Sequence, residues 1–183
     1  NKVEYVGSFI DTTPVSGKQD HVFVPISGPI GTRAKILRML LPVLEKANTK
    51  YVISLGAPGK KVSKKIGNGE VHTWLSAEER TKALVNAKYV LFSGGHATCF
   101  ETIKYGKPSI CIPTQPEQLA NAAKLEKLHC SIVVKNRKQL EKALLKLERE
   151  IDVYYRYMQV LRKVSSSFKG LDRATEIIQS LMV

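Results

Sequence analysis

Residues 93 to 101, Ser-Gly-Gly-His-Ala-Thr-Cys-Phe-Glu, are the stretch best placed to do chemistry. Tyr89 to Phe92, just before it, is a β-branched and aromatic run with the composition of a buried strand. Ser93, Gly94 and Gly95 carry no bulky side chain, so the backbone can turn tightly and approach a ligand. A helical pattern then starts at Thr98, with Glu101 one turn later. Strand, glycine turn and helix start together aim free N–H groups and the positive end of a helix dipole at an anion, and phosphate suits that site. The same residues admit a plainer reading. Thr98 and Glu101 have the spacing of a capping box, and Gly94-Gly95 can be a mere strand-to-helix connection.

Further residues extend this stretch in a fixed order. Gly106-Lys107-Pro108, a second apolar strand Ser109 to Ile112, Pro113, the pair Glu117-Gln118 and Asn121-Ala122 follow Glu101. The ordered series resembles the donor-binding signature of GT-B glycosyltransferases that use nucleotide-diphosphate sugars. Within that superfamily it is most similar to the UDP-glycosyltransferases of plants and bacteria and to the peptidoglycan N-acetylglucosaminyltransferase. The resemblance implies an α/β, Rossmann-like, three-layer α/β/α domain with a mostly parallel sheet, one half of a GT-B enzyme.

It also implies roles. Ser93, Gly94, Gly95, His96, Ala97 and Thr98 would hold the donor diphosphate, joined by Ser27, Gly28 and Gly31 from an earlier loop. Glu101 would accept the ribose hydroxyls, since a carboxylate is the natural acceptor for a diol. Trp74 and Leu75 would serve the base, although the Pro-Gln pair that follows the Trp in plant enzymes is absent. Glu117, Gln118 and Asn121 would meet the transferred sugar, with Glu117 standing where Asp is commoner and Asn121 able to brace the loop. His96 reads as a surface or phosphate-contacting residue rather than a base. No Asp-x-Asp motif is present, and the implied donor is a UDP-sugar used without a metal or other cofactor. The catalytic base of most inverting relatives lies on the other half, so no catalytic residue is assigned here.

Several elements must position these groups. His21 to Ile26 (HVFVPI), Lys50 to Leu55, Glu70 to Leu75 and Ser131 to Val134 read as further strands. Helices are expected over Thr32 to Ala47, with a kink or break at Pro42, and from Ser76 to Ala87, and another continues after Asn121 to Leu128 with Ala122, Leu125 and Leu128 turned inward. Leu140, Leu144 and Leu147 mark another. The lysine-rich run after Gly59 reads as a solvated loop. Residues 1–20 read as an interdomain linker, 21–151 as the nucleotide-sugar domain, and 152–183 as C-terminal helices that pack toward an N-terminal acceptor-binding half absent from this chain. The chain opens on Asn1 rather than Met, which fits a fragment.

At 183 residues and 43% hydrophobic content, one globular domain is expected. No apolar run reaches the length of a membrane span, and no signal-peptide pattern opens the chain. Cys99, Cys111 and Cys130 lack metal-ligand spacing and read as core thiols of a cytoplasmic protein. The net charge of +13 is spread over helix faces rather than gathered with aromatics, which argues against nucleic acid as a partner. It leaves room for contact with an anionic membrane surface or a lipid-borne acceptor at the inner face of the membrane. Two rivals share the pattern: an enzyme of the UDP-N-acetylglucosamine 2-epimerase type, and the donor-binding subunit of a split, membrane-associated transferase.

Overall fold

In the computed structural model, which describes residues 3–7, 9, 17–59 and 61–182, the apolar runs form one seven-stranded sheet. The strands are β1 (His21–Pro25), β2 (Tyr51–Ser54), β3 (Ser63–Ile66), β4 (Gly69–His72), β5 (Ala87–Phe92), β6 (Ser109–Cys111) and β7 (Ser131–Val133). Their order is β3-β4-β2-β1-β5-β6-β7, parallel throughout except for β3, which runs antiparallel to β4. The helices are α1 (Ile30–Lys46), α2 (Ala77–Asn86), α3 (His96–Lys104), α4 (Pro116–Lys127), α5 (Arg137–Arg149), α6 (Ile151–Ser167) and α7 (Gly170–Ser180).

Because strand side chains alternate between faces, each central strand feeds two cores. Val22, Val24, Tyr51, Ile53, Tyr89, Leu91 and Ile110 point to the side covered by α1 and α5, where Leu40, Leu44, Leu140 and Leu147 meet them. Phe23, Val90, Phe92 and Cys111 point to the other side, under Leu84 of α2, Cys99 of α3, Leu125 of α4 and Met158 of α6. The result is the expected three-layer, Rossmann-like arrangement. Its first α6 turns belong to this domain, since Tyr154 and Met158 are buried in the two cores. Among the described residues no helix is long and apolar enough to cross a membrane.

Local readings changed in four places. Pro42 does not end α1, because Leu40, Val43 and Leu44 on both sides of it are buried against the sheet and hold the helix in register. The strand expected over Glu70 to Leu75 stops at His72, leaving Trp74 and Leu75 in the connection to α2. Part of the lysine-rich run, read as a loop, is the edge strand β3, whose exposed Lys64 and Lys65 discourage further strand pairing. Lys60 and the Asp11 to Ser16 part of the linker lie outside the described residues. Helix α4, which continues past Asn121 as expected, begins at Pro116, with proline at the first helical position where its missing N–H costs nothing. Leu128, read as inward, caps α4 and is 38% exposed. Cys99, Cys111 and Cys130 are free and buried, as expected.

Candidate functional site

The sheet changes direction at β1, which pairs with β2 on one side and β5 on the other. The loops leaving β1 and β5 at their carboxyl ends therefore part around a crevice, the place where open α/β sheets bind ligands. Ser27 to Pro29 form one lip and Ser93 to Gly95 the other. Gly28 and Gly31 face open space on the first lip, with nothing near an added Cβ.

Among the described helices, those that start at the two lips are the ones with neither a side-chain cap nor an acid in the first turn; α4, α6 and α7 lack a cap but carry an acid there. Helix α2 carries a complete capping box, with Ser76 Oγ accepting from Glu79 N and Glu79 accepting from Ser76 N. Helix α5 is capped by Asn136, whose Oδ1 accepts from Gln139 N at 2.9 Å. Helices α1 and α3, which start at the two lips, have no side-chain cap and no acid in the first turn. Their leading N–H groups and positive dipole ends are thus uncompensated by the chain itself, the condition for holding an anion.

The capping-box reading of Thr98 and Glu101 is overturned. Helix α3 starts at His96 with Gly95 as its N-cap, so both residues lie inside the helix and neither side chain caps it. Glu101 instead takes a two-pronged bond from Arg80 of α2. Arg80 Nε donates to Oε1 at 3.1 Å, and Arg80 Nη2 donates to Oε2 and to Thr98 Oγ1, the latter at 3.3 Å. The guanidinium lies 5.7 Å from the centre of the Phe23 ring. Nothing in the sequence flagged Arg80. It reads there as one basic residue on a polar helix face, and only the return of α2 across β1 and β5 brings it to Glu101.

Gly94 is fixed from two directions. Its φ is +87°, and a Cβ there would lie 2.5 Å from the carbonyl oxygen of Gln118 in the first turn of α4. Asn121 Nδ2 donates to Gly94 O at 3.1 Å and to Glu117 Oε1 at 2.7 Å, so Asn121 braces the glycine turn and orients Glu117. Gln118 turns its Oε1 to Thr114, accepting from the backbone N at 2.9 Å and from the hydroxyl at 3.0 Å. The starting conformation therefore presents Glu117 and Asn121 beside the turn while Gln118 is engaged in its own loop. His96 is exposed and packs its ring edge-on to Phe100 at 4.5 Å. Ala97 is exposed, and Ser93 is buried under the turn.

Trp74 and Leu75 part company: the Trp74 side chain is 44% exposed, while Leu75 is buried. They leave β4, which is separated from β5 by β2 and β1. What ties them to the crevice is α2, which begins just after them and carries Arg80 to Glu101. Among the described residues no cluster of His, Cys, Asp or Glu has the makings of a metal site.

Solved structures with the same fold include glycosyltransferases. The glycotransferase of kitacinnamycin superposes with a TM-score of 0.73 at 19% identity, covering 89% of this chain and 43% of that one. The calicheamicin glycosyltransferase CalG4 gives 0.71 at 15% identity over 92% and 43%, and SnogD from Streptomyces nogalater gives 0.63 at 14% over 94% and 46%. The chain thus spans less than half the length of each. Comparison with curated proteins gives no match. The family model for the glycosyltransferase family 28 C-terminal domain matches residues 38–171, which takes in the Gly94 turn, Glu101 and Asn121 but not the Ser27 to Gly31 lip. On fold and sequence together, the chain belongs to the glycosyltransferase family 28 C-terminal domain family.

Proposed function

We propose that this chain is the donor-binding half of a glycosyltransferase and that its donor is a UDP-sugar. The observation that carries the reading is the uncapped, acid-free start of α3 behind Gly94, set at the sheet's switch point with a carboxylate one turn further on. The diphosphate would sit over the N–H groups of His96, Ala97 and Thr98, with Ser93 and Gly95 beneath and the Ser27, Gly28 and Gly31 lip opposite. The ribose would lean on Glu101, the base on the segment of Trp74 and Leu75, and the sugar on Glu117 and Asn121, with Gln118 joining once released from Thr114.

Glycosyl transfer builds negative charge on the departing nucleotide as the anomeric bond breaks. Preorganised N–H groups and a helix dipole stabilise that charge without having to reorganise at the moment of reaction. In this proposal the crevice supplies that stabilisation with no metal. The acceptor pocket and the base that activates the acceptor hydroxyl are assigned to an N-terminal half, in keeping with the share of the neighbours' length that this chain covers. The isolated chain should then bind the donor and turn nothing over.

Titration of the chain with UDP, GDP and dTDP at millimolar concentration, followed by thermal shift, tests the reading. Binding to the folded state alone raises the melting temperature in proportion to the logarithm of ligand concentration above Kd. UDP should give the largest shift. Glu101→Ala should weaken UDP binding about tenfold, as for a lost charge-assisted hydrogen bond. In the absence of nucleotide it should cost only about 1 kcal/mol or less, because the Arg80 pair it breaks is roughly a third exposed. Equal shifts from all three nucleotides would refute the uridine assignment, and no shift from any would refute the site.

A further inference from the structure

We infer that Arg80 is a positioning residue of the donor site, holding Glu101 in the orientation that receives the ribose diol; the inference rests on the reading of Glu101 just given. The geometry is that of a fork. Nε and Nη2 of one guanidinium meet the two oxygens of one carboxylate, and the same Nη2 reaches Thr98 Oγ1. A bidentate arginine fixes the plane of its carboxylate as well as its position. The guanidinium is itself seated against Phe23, which is fully buried in the central strand β1. Glu101 is thereby referenced to the rigid centre of the sheet rather than left to sample rotamers on the surface of α3.

Each ionised carboxylate oxygen has two acceptor sites, so the fork uses one on each and leaves one on each for a ligand. A vicinal diol needs such a pair: two acceptors, fixed in relation to each other. Without Arg80 the ligand would have to immobilise Glu101 on binding, at a cost in side-chain entropy. The fork has a second consequence. Arg80 sits one turn into α2, the helix that follows Trp74 and Leu75, so it couples the base segment to the ribose acceptor on α3. As a stability device the pair is weak, because both side chains are about a third exposed. Its orienting effect on a ligand does not suffer that discount.

The test compares Kd values of UDP and 2′,3′-dideoxy-UDP for the 183-residue chain, wild type against Arg80→Met and Arg80→Lys. The wild type should prefer UDP by about tenfold. Arg80→Met should weaken UDP about tenfold and leave dideoxy-UDP within about twofold, so that the preference disappears. Arg80→Lys, which restores charge but not the fork, should recover part of it. Equal loss for both nucleotides would mean that Arg80 acts on the phosphates, and no loss for either that the pair is only structural; each overturns the inference. A wild type without preference for UDP overturns the donor-site reading itself, and the inference with it, before any variant is made. Should Arg80→Met fail to fold, the same ratio measured on Arg80→Lys decides, with an unchanged wild-type preference counting against the fork.

Discussion

Replacing Gly94 with alanine is expected to abolish nucleotide binding and to cost roughly 2–4 kcal/mol of stability. Two penalties coincide at this position. The backbone has φ +87°, a conformation that side-chain-bearing residues adopt only under strain, and the new Cβ would lie 2.5 Å from Gln118 O. That neighbour is backbone, so relief requires moving the first turn of α4 away from the turn. The movement would also break the bond from Asn121 Nδ2 to Gly94 O, which sets the turn's exit. Gly95→Ala is the control. Gly95 has φ −63° and ψ 139°, and the nearest atom to its added Cβ is Ser93 Oγ at 3.9 Å. It should fold with a loss of about 1 kcal/mol or less, the usual range for an N-cap change of this size. Urea denaturation of the two variants separates them. If Gly94→Ala were as stable as Gly95→Ala, the packing of α4 on the turn would be wrong.

The legible parts of this protein were those with a local cause. Continuous apolar runs in His21 to Ile26 and Tyr89 to Phe92 marked the two central strands, because a residue buried on either face must be apolar there. Gly94 stood out because a glycine after a strand signals a turn that no other residue makes. The helix start, by contrast, was misplaced by two residues. Thr98 and Glu101 have capping chemistry, and only the position of Arg80 shows that Glu101 is committed elsewhere. Pro42 misled for the complementary reason: a local penalty was outweighed by burial of Leu40, Val43 and Leu44, which depends on the sheet. Pairing between α2 and α3 spans two elements joined through β5, and no spacing rule reaches that far. The part of the candidate site carried by one loop could be read, and the part made by two helices could not.

Stability should stay level from pH 8 to pH 9 and then collapse, losing roughly 5 kcal/mol by pH 11. Burial drives the collapse. It pushes the Cys99 and Cys130 thiols up to about 11 and the Cys111 thiol to about 12, against an ordinary value of 9.0. Between these limits the unfolded chain has released its thiol protons while the folded chain keeps them. Each thiol then removes about 1.4 kcal/mol per pH unit. The Tyr155 phenol, pushed by burial to about 12, adds to the loss above pH 10. Lys107 works in the opposite sense. It is buried, donates to Ala87 O at 2.8 Å, and is lowered by desolvation from 10.5 to about 8. In that window the unfolded chain holds the proton that the folded chain has lost, so this group raises stability with pH, and between pH 8 and 9 it offsets the first loss from the thiols, which are half ionised at 9.0 in the unfolded chain. Above pH 9 three thiols outweigh one ammonium. A loss of this size is comparable with the whole stability of a domain, so the chain should be largely unfolded near pH 11. Guanidinium denaturation under reducing conditions at pH 7.5, 9 and 10.5 measures the profile. Cys130→Ala should make the fall shallower by about a third, and Lys107→Met should turn the level stretch between pH 8 and 9 into a fall of about 1 kcal/mol. A fall that starts only above pH 10 and ignores both substitutions would assign it to the tyrosines instead of the thiols.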